Sequence, residues 1–453
     1  MLTTLVDLVI DGGAWVTVGH AALIVYIVAE WPRLPAISRS VVALALLSAL
    51  LVLWRVPDPR ATLIEGLARA AYFATFITAL GFLREAAATS PLVHRCGRII
   101  INQPPAKRYA TLTVGSFLFG VILNLGVANL LGVMIASSNT LHAAGGVPAV
   151  RRARQRRMVS ALLRGFAVTP LASPLSVTLA VLLSTMQGLY WYQVLPLGMV
   201  GAALLLALGW WLDRRLAPRH LAAVAPLTDG RLELVPVARF VALVLGIVGT
   251  AMVLHTLLEV RLFVAVLISA PPLALLWMAV QRRRVGPRRA LQFALLRLGR
   301  RAIHMFPGLR AEVGILGSAA FTGAMLTALM PPELVSELLR AVGLSGVGVA
   351  VAALVVIVAV AQVGINPIVS VTLLAAALSD PGQLGLAPPV LALAFMGGWA
   401  LAINSSVLTA AVLLLARMSG VSPTTVAYRW NGLYSVCGVL LLAALLLAAS
   451  AIL

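Results

Sequence analysis

Four long apolar stretches of the chain carry polar and helix-breaking residues near their middles. Two of the interruptions read LNLGVANLL at residues 123–131 and VGINPIVSV at 363–371. The other two read TPLASPLS at 169–176 and NSSVLT at 404–409. The candidate site residues are Asn124, Gly126, Asn129, Thr169, Ser173, Ser176, Gly364, Asn366, Pro367, Ser370, Asn404, Ser405, Ser406 and Thr409.

Interruptions of this kind predict a binding site, because backbone N–H and C=O groups cannot stay unpaired in hydrocarbon. A helix broken at mid-depth offers amide donors for an anion at one end and carbonyls for a small cation at the other. Pro367 lacks a backbone donor, and Gly126 and Gly364 are expected to take backbone angles that other residues resist. We therefore predict a site for a small anionic solute, with Na⁺ as a coupling ion near Asn124 and Asn366.

The composition indicates what surrounds these segments. Of 453 residues, 61% are hydrophobic and 11% are charged, and the mean hydropathy is +1.02. Soluble domains carry about 25% charged residues, so these values predict an all-α polytopic membrane protein. The predicted full spans are 13–31, 37–56, 62–83, 159–187, 191–212, 237–256, 260–280, 307–331, 386–416 and 427–452.

Two further apolar stretches, 109–137 and 343–379, are predicted to be re-entrant hairpins. Each is broken midway by Asn with Gly or Pro. Each also follows a short charged segment, PLVHRCGRII or ELVSELLRAV, which is amphipathic enough to lie on the membrane surface.

The formal net charge of +20 comes mostly from arginines between the apolar segments. Positive residues mark cytoplasmic loops, so Arg84, the run 151–157, the run 214–219 and the run 282–301 are expected on the cytoplasmic side. Both termini then face outside, and anionic lipids, not nucleic acid, are the expected partners of the basic residues. The segment 281–304 is interpreted as a basic cytoplasmic linker between the two halves.

The chain also contains a weak internal repeat. Residues 91–124 align without gaps to 333–366, which matches Arg98 with Arg340 and Asn124 with Asn366. An odd number of predicted crossings separates the halves, so the repeats are expected to have inverted topology. The predicted division is N-terminal helices at 1–60, a first repeat at 61–235, connecting helices and linker at 236–304, and a second repeat at 305–453.

Other chemistry lacks sequence support. Cys96 and Cys437 are far apart, so neither a disulfide framework nor a metal site is predicted, and both thiols are expected to be inert. Lys107 is the only lysine and no phosphate-binding Gly-Lys motif occurs, which argues against ATP hydrolysis and against a bound cofactor. Glu312, Glu259 and His142 are interpreted as membrane-boundary residues and not as a proton relay. The polar midpoints of the spans hold no His, Asp or Glu cluster, so no enzyme is predicted.

The order of parts resembles the ion transporter superfamily, which includes divalent anion/sodium symporters, arsenite permeases and the large membrane subunit of tripartite transporters. The shared pattern is an arm, a hairpin with Asn at its tip and a broken span, twice. The resemblance covers about residues 62–452. It implies an alternating-access carrier and a homodimer in a bacterial-type inner membrane. By position, Asn124 and Ser173 would serve the first half-site, and Asn366, Ser405 and Ser406 the second.

The sequence departs from that family at the hairpin tips. The symporters' Ser-Asn-Thr signature is absent from both tips, and Ser138-Asn139-Thr140 lies beyond the first one. The sequence therefore predicts a secondary transporter and leaves three alternatives open. These are the membrane subunit of a multi-component transporter, an accessory membrane protein, and a lipid-modifying membrane enzyme.

Overall fold

A computed structural model describes residues 13–216, 233–330, 332–341 and 343–453 of the chain. Within these ranges every regular element is a helix, and nine helical stretches are long and apolar enough to cross a membrane. The chain is thus an all-α polytopic membrane protein, as its composition predicts. Arg219, at the end of the basic run 214–219 used above for topology, lies outside the described residues.

The first ten helices are α1 (Gly13–Glu30), α2 (Ala36–Arg55), α3 (Pro59–Ala88), α4 (Pro91–Ile101), α5 (Pro105–Leu123), α6 (Gly126–Ser138), α7 (Pro148–Ala167), α8 (Thr169–Ala172), α9 (Val177–Thr185) and α10 (Trp191–Leu216). The next ten are α11 (Leu234–Leu257), α12 (Leu262–Gln281), α13 (Pro287–Gly308), α14 (Arg310–Leu329), α15 (Pro332–Ala341), α16 (Val347–Gln362), α17 (Pro367–Ala377), α18 (Pro388–Ser405), α19 (Ala410–Ser419) and α20 (Gly432–Ile452). A π-helix, Thr425–Trp430, precedes α20.

The four predicted interruptions are confirmed as helix breaks. Helices α5 and α6 pair as one hairpin and α16 and α17 as a second, and the arms of each hairpin contact one another. The stretch 148–185 is broken before α9, and the stretch 388–419 is broken between α18 and α19. The order of long helix, arm, hairpin, broken helix and final helix occurs twice, from α3 to α10 and from α14 to α20. Inverted orientation of these halves stays a prediction.

The basic segment 281–304, interpreted above as a cytoplasmic linker between the halves, is mostly helical. Gly286 takes φ +90° before α13, and Pro287 occupies the first helical position, where a missing N–H costs nothing. The Arg, Leu, Gln and Ala residues that follow are good helix formers. Most of the α13 arginines are exposed, which suits contact with anionic headgroups.

Cys96 lies in the first arm, and Cys437 lies in α20. Cys96 is fully buried in α4, and its Sγ donates a hydrogen bond to the Pro236 carbonyl at 3.3 Å. Burial raises the pKa of the Cys96 thiol to about 11, so the reactive thiolate is scarce at neutral pH.

Each hairpin packs tightly on the broken helix of its own half. A Cβ added to Gly165 of α7 would lie 2.1 Å from the Thr113 carbonyl oxygen of α5. In the second half, a Cβ added to Gly398 of α18 would lie 3.0 Å from Cβ of Ile357 in α16. Glycine at these positions lets the hairpin and the broken helix approach closely.

We predict that Gly165→Ala lowers the free energy of unfolding by about 1–3 kcal/mol, because the new methyl group overlaps a backbone oxygen that cannot move away cheaply. The measurement is denaturant-induced unfolding of the purified protein in detergent. Gly246→Ala in α11 is the matched control, since its added Cβ meets nothing within 4 Å. Equal stability of the two variants would contradict the close approach.

Candidate functional site

The tip of the second hairpin is hydrogen-bonded to the break in its own half. The Ser406 hydroxyl donates to the Ala361 carbonyl at 2.6 Å, and Gln362 Nε2 donates to Ser405 Oγ at 3.1 Å. Carbonyls in the last turn of a helix lack partners within the helix. Ser406 supplies one for α16, and the two hydrogen bonds join the end of α16 to the end of α18.

The segment 363–366 turns the chain between the arms of this hairpin. Gly364 takes φ +97°, a conformation that side chains resist, as predicted. Asn366 caps α17, because its Oδ1 accepts from the Ile368 amide at 3.0 Å, and Pro367 occupies the first helical position. Asn366 therefore has a structural role at the tip that its sequence position alone did not show.

Near the second hairpin and break, buried oxygens of Asn404 and Ser370 have no hydrogen-bond partner among the described residues. Asn404 is 1% exposed; its Nδ2 donates to the Ala400 carbonyl at 3.3 Å, but its Oδ1 is unpaired. Ser370 in α17 is 7% exposed, and its Oγ is also unpaired. Helices α17 and α18 contact each other. Unpaired buried oxygens call for an explanation such as a bound ion.

The break between α18 and α19 leaves amide donors uncovered. Thr409 precedes α19 but does not cap it, since its hydroxyl donates backwards to the Ile403 and Ser406 carbonyls at 3.1 and 3.0 Å. The first N–H groups of a helix have no partners within the helix. No side-chain cap on α19 is seen within the described part of the chain, so these amides can meet a bound anion.

In the first half, by contrast, the hydroxyls of the break bond locally. Ser173 Oγ accepts from the Leu175 amide and Ser176 Oγ accepts from the Leu179 amide, both at 3.2 Å. Thr169 Oγ1 donates to the Phe166 carbonyl at 2.8 Å. The Thr169 methyl group also approaches Gly120 of α5, so this break packs against the first hairpin without a hydrogen bond to it.

The tip of the first hairpin differs from the expectation for Gly126. Gly126 is the first residue of α6 and does not take a positive φ, and a Cβ added there would make only ordinary contacts. Asn124 takes the unusual conformation instead, at φ +49°. Asn tolerates positive φ better than most residues, so the turn forms at Asn124, two positions before Gly126. The expectation that Gly126 supplies strained backbone is wrong.

Asn129 lies apart from the other candidates. Its side chain is exposed in the first turn of α6. It forms no hydrogen bond with any side chain or backbone group in the described ranges. Thr169, Ser173, Asn404, Ser405 and Ser406 are all buried.

An ion pair beside the first hairpin was missed by the sequence reading. Arg84 lies in α3, not in a loop, and its Nη1 and Nη2 each donate to a carboxylate oxygen of Glu312 in α14 at 3.1 Å. The Arg84 side chain comes within 3.8 Å of a Cβ placed on Gly126. Both charges look like membrane-boundary residues in the sequence, and only the fold shows that they pair.

The two halves also contact each other through their hairpins and broken helices. Helix α9 packs on α17, and α19 packs on α6. A Cβ on Gly132 of α6 would lie 2.7 Å from Sδ of Met418 in α19. Each broken helix therefore contacts the hairpin of its own half and that of the other half.

The class of fold is an all-helical membrane bundle in which two hairpins pack against two interrupted helices. Neither the models of protein families nor the curated proteins match the sequence. Two solved structures share the fold. The YdaH transporter of Alcanivorax borkumensis is similar with a TM-score of 0.52 and 15% identity, covering 91% of this chain and 98% of that one. The Neisseria gonorrhoeae protein MtrF, described with a class of antimetabolite efflux pumps, gives a TM-score of 0.50 and 12% identity, covering 91% and 94%.

We predict that Glu312→Gln destabilises the protein by about 1–3 kcal/mol, because it leaves the half-buried Arg84 guanidinium without its charged partner. A double-mutant cycle with Arg84→Gln, measured by denaturant unfolding, gives the coupling free energy. The exposed pair Arg69 and Glu65 is the control and should couple by about 0.3–0.5 kcal/mol. A coupling at the Arg84 pair no larger than that would contradict the prediction.

Proposed function

We propose that the chain is a secondary transporter that moves a small organic or inorganic anion by alternating access, with Na⁺ as the coupling ion. The observation that carries the proposal is the link between the second hairpin tip and the second break, through Ser406 and Ala361. It brings the polar ends of two interrupted membrane helices together, which is the arrangement expected of a carrier site. The proposal includes membership of the ion transporter superfamily and a homodimer in a bacterial-type inner membrane.

An anion is supported by the chemistry of the breaks. Helices α9 and α19 both begin there, so their N-terminal amides and positive dipole ends are directed at the interruption. The side chains of the two breaks are neutral, with hydroxyls and amides but no carboxylate to repel an anion. The charge of the solute is thus balanced by backbone dipoles.

A coupling cation is supported by oxygens in the same half. Asn404 Oδ1 and Ser370 Oγ are buried and unpaired, on helices that contact each other. Hard cations prefer oxygen ligands, and backbone carbonyls at the end of α18 add to this set. A sodium ion here would offset the charge of a neighbouring anion.

The transport proposal is tested in proteoliposomes with a panel of labelled carboxylates, sulfonates and oxyanions, with and without a Na⁺ gradient. We expect uptake of at least one anion class, and Ser406→Ala should lower its initial rate about tenfold, because the variant loses the hydrogen bond that joins the break to the end of α16. Ser137→Ala removes a local hydrogen bond on an exposed helix face and should transport normally. Equal rates in both variants, or no uptake by the unaltered protein, would oppose the proposal.

The sodium site has its own test. We predict that Na⁺ raises the thermal unfolding midpoint relative to K⁺ at equal ionic strength, since binding to the folded state stabilises it. Asn404→Ala should abolish that difference because it removes an unpaired oxygen. Asn129→Ala, on an exposed face, should retain it. Identical Na⁺ and K⁺ curves for the unaltered protein would rule out the site.

A further inference from the structure

A basic cavity of about 410 Å³ lies outside the helix breaks, between α7, α10 and the π-helix Thr425–Trp430. Arg152, Arg156, Arg157, Ser160 and Arg164 of α7 line one side of it. Asp213 and Leu216 of α10 and Trp430 line the other side. We call this space the arginine cavity.

The sequence of α7 builds one wall of the arginine cavity. Arg152, Arg156, Ser160 and Arg164 recur at every fourth position. Residues four apart lie on the same face of an α-helix, so these side chains form one row along α7. Arg152 and Arg156 are exposed, whereas Ser160 and Arg164 are buried, so the row runs from the surface into the protein.

Arg164 is a buried charge held by neutral groups. The residue is 5% exposed, and its guanidinium donates to Asn431 Oδ1 at 2.8 Å, to the Tyr109 hydroxyl at 3.0 Å and to the Trp430 carbonyl at 3.0 Å. No carboxylate pairs with it among the described residues. A buried cation without an opposite charge is costly, so an anion in the adjoining cavity would stabilise it.

The other charges of the arginine cavity do not cancel. Arg157 forms a two-pronged ion pair with Asp213, with Nε to Oδ1 at 2.9 Å and Nη2 to Oδ2 at 2.7 Å. Asp213 is the one lining carboxylate in the described ranges, and this pair uses both of its oxygens. Neither Arg152 nor Arg156 has an ion pair with a described side chain. The cavity therefore has an excess of positive charge.

Ser160 supplies an independent indication of a ligand. The residue is 4% exposed and lines the arginine cavity, and its Oγ has no hydrogen-bond partner in the part of the chain that the structure describes. A buried hydroxyl without a partner costs about 1–3 kcal/mol, so such groups are normally satisfied by protein, water or ligand. Here the residue that carries the unpaired hydroxyl lines the same cavity as the arginines.

We propose that the arginine cavity binds an oxyanion of the phosphate type, supplied by a soluble phosphate or by the headgroup of an anionic lipid. Guanidinium groups donate in a planar fork that matches phosphate oxygens, and the Ser160 hydroxyl can donate one further hydrogen bond. Arg156 can offer its fork to the anion. Arg164 also donates to the Gly209 carbonyl at 3.3 Å, so it has one Nη2 N–H left to donate, with Ser160 between the two arginines in the row.

The arginine cavity is separate from the proposed transport site, but one helix belongs to both. Helix α7 is the first segment of the broken stretch 148–185, and Arg164 precedes Thr169 by about 7.5 Å along the helix axis. Arg164 also donates hydrogen bonds to Trp430 and Asn431, which directly precede α20. An anion bound to Arg164 is therefore connected to the start of α20 by that side chain. The anion thus links α7, α10 and the start of α20.

The proposal is tested by thermal unfolding of the purified full-length protein in detergent, titrated with inorganic phosphate or pyrophosphate against chloride at constant ionic strength. We expect both phosphates to raise the unfolding midpoint, and Arg156→Gln and Ser160→Ala to raise the apparent dissociation constant at least fivefold. Arg288→Gln in α13 removes the same charge from an exposed helix and should bind normally. Ser160→Ala removes only an unpaired hydroxyl, so it should fold as the unaltered protein does.

The source of the oxyanion is resolved by repeating the titration in nanodiscs. If a lipid headgroup occupies the cavity, phosphatidylglycerol nanodiscs suppress the response to soluble phosphate, and phosphatidylcholine nanodiscs do not. If a soluble phosphate is the ligand, both lipids give the same response. No midpoint shift with either phosphate and no difference between the lipids would overturn the proposal. Equal losses of phosphate affinity in Arg156→Gln and Arg288→Gln would also overturn the proposal. Asn366→Ala should keep the full response, which separates this cavity from the transport site.

Discussion

The structure depends on the constraint that a backbone amide or carbonyl inside a membrane must have a partner. An unbroken helix meets this constraint by itself, but the four interruptions release several such groups at once. In the second half, side chains satisfy some of these groups. The Ser406 hydroxyl donates to the Ala361 carbonyl, and Asn366 Oδ1 accepts from the Ile368 amide. The side-chain oxygen Asn404 Oδ1 stays unpaired beside the second break, and under the proposed function it is available to an ion.

The two halves meet this constraint differently. Ser173 and Ser176 satisfy amides within their own break, and the first hairpin contacts that break through Gly120 and the Thr169 methyl group. The second hairpin instead makes hydrogen bonds to its break. Under the proposed function, this asymmetry assigns the charged species to the second half and a tightly packed wall to the first. The contacts of α9 with α17 and of α19 with α6 bring the two halves into one unit.

Most of the architecture was predictable, because composition and helix-breaking residues act locally. The length of each apolar stretch predicts a membrane span. Gly364 and Pro367 predict a helix break whatever the tertiary contacts around them are. The turn at Asn124 was assigned to the wrong residue, since a positive φ at Asn depends on its surroundings. The Arg84 and Glu312 pair joins residues far apart in sequence, so only the packing of α3 on α14 reveals it. The four-residue spacing in α7 was visible in the sequence but looked like an ordinary basic loop.

The central claim is that polar, water-accessible space reaches the helix breaks. It is tested most directly by labelling single cysteines in a Cys96→Ala, Cys437→Ala background with a membrane-impermeant maleimide in proteoliposomes. We predict that Asn366→Cys is labelled from at least one side, and that the lipid-facing control Leu47→Cys in α2, which is 54% exposed, is not. Protection of Asn366→Cys from both sides, to the same degree as Leu47→Cys, would contradict the account.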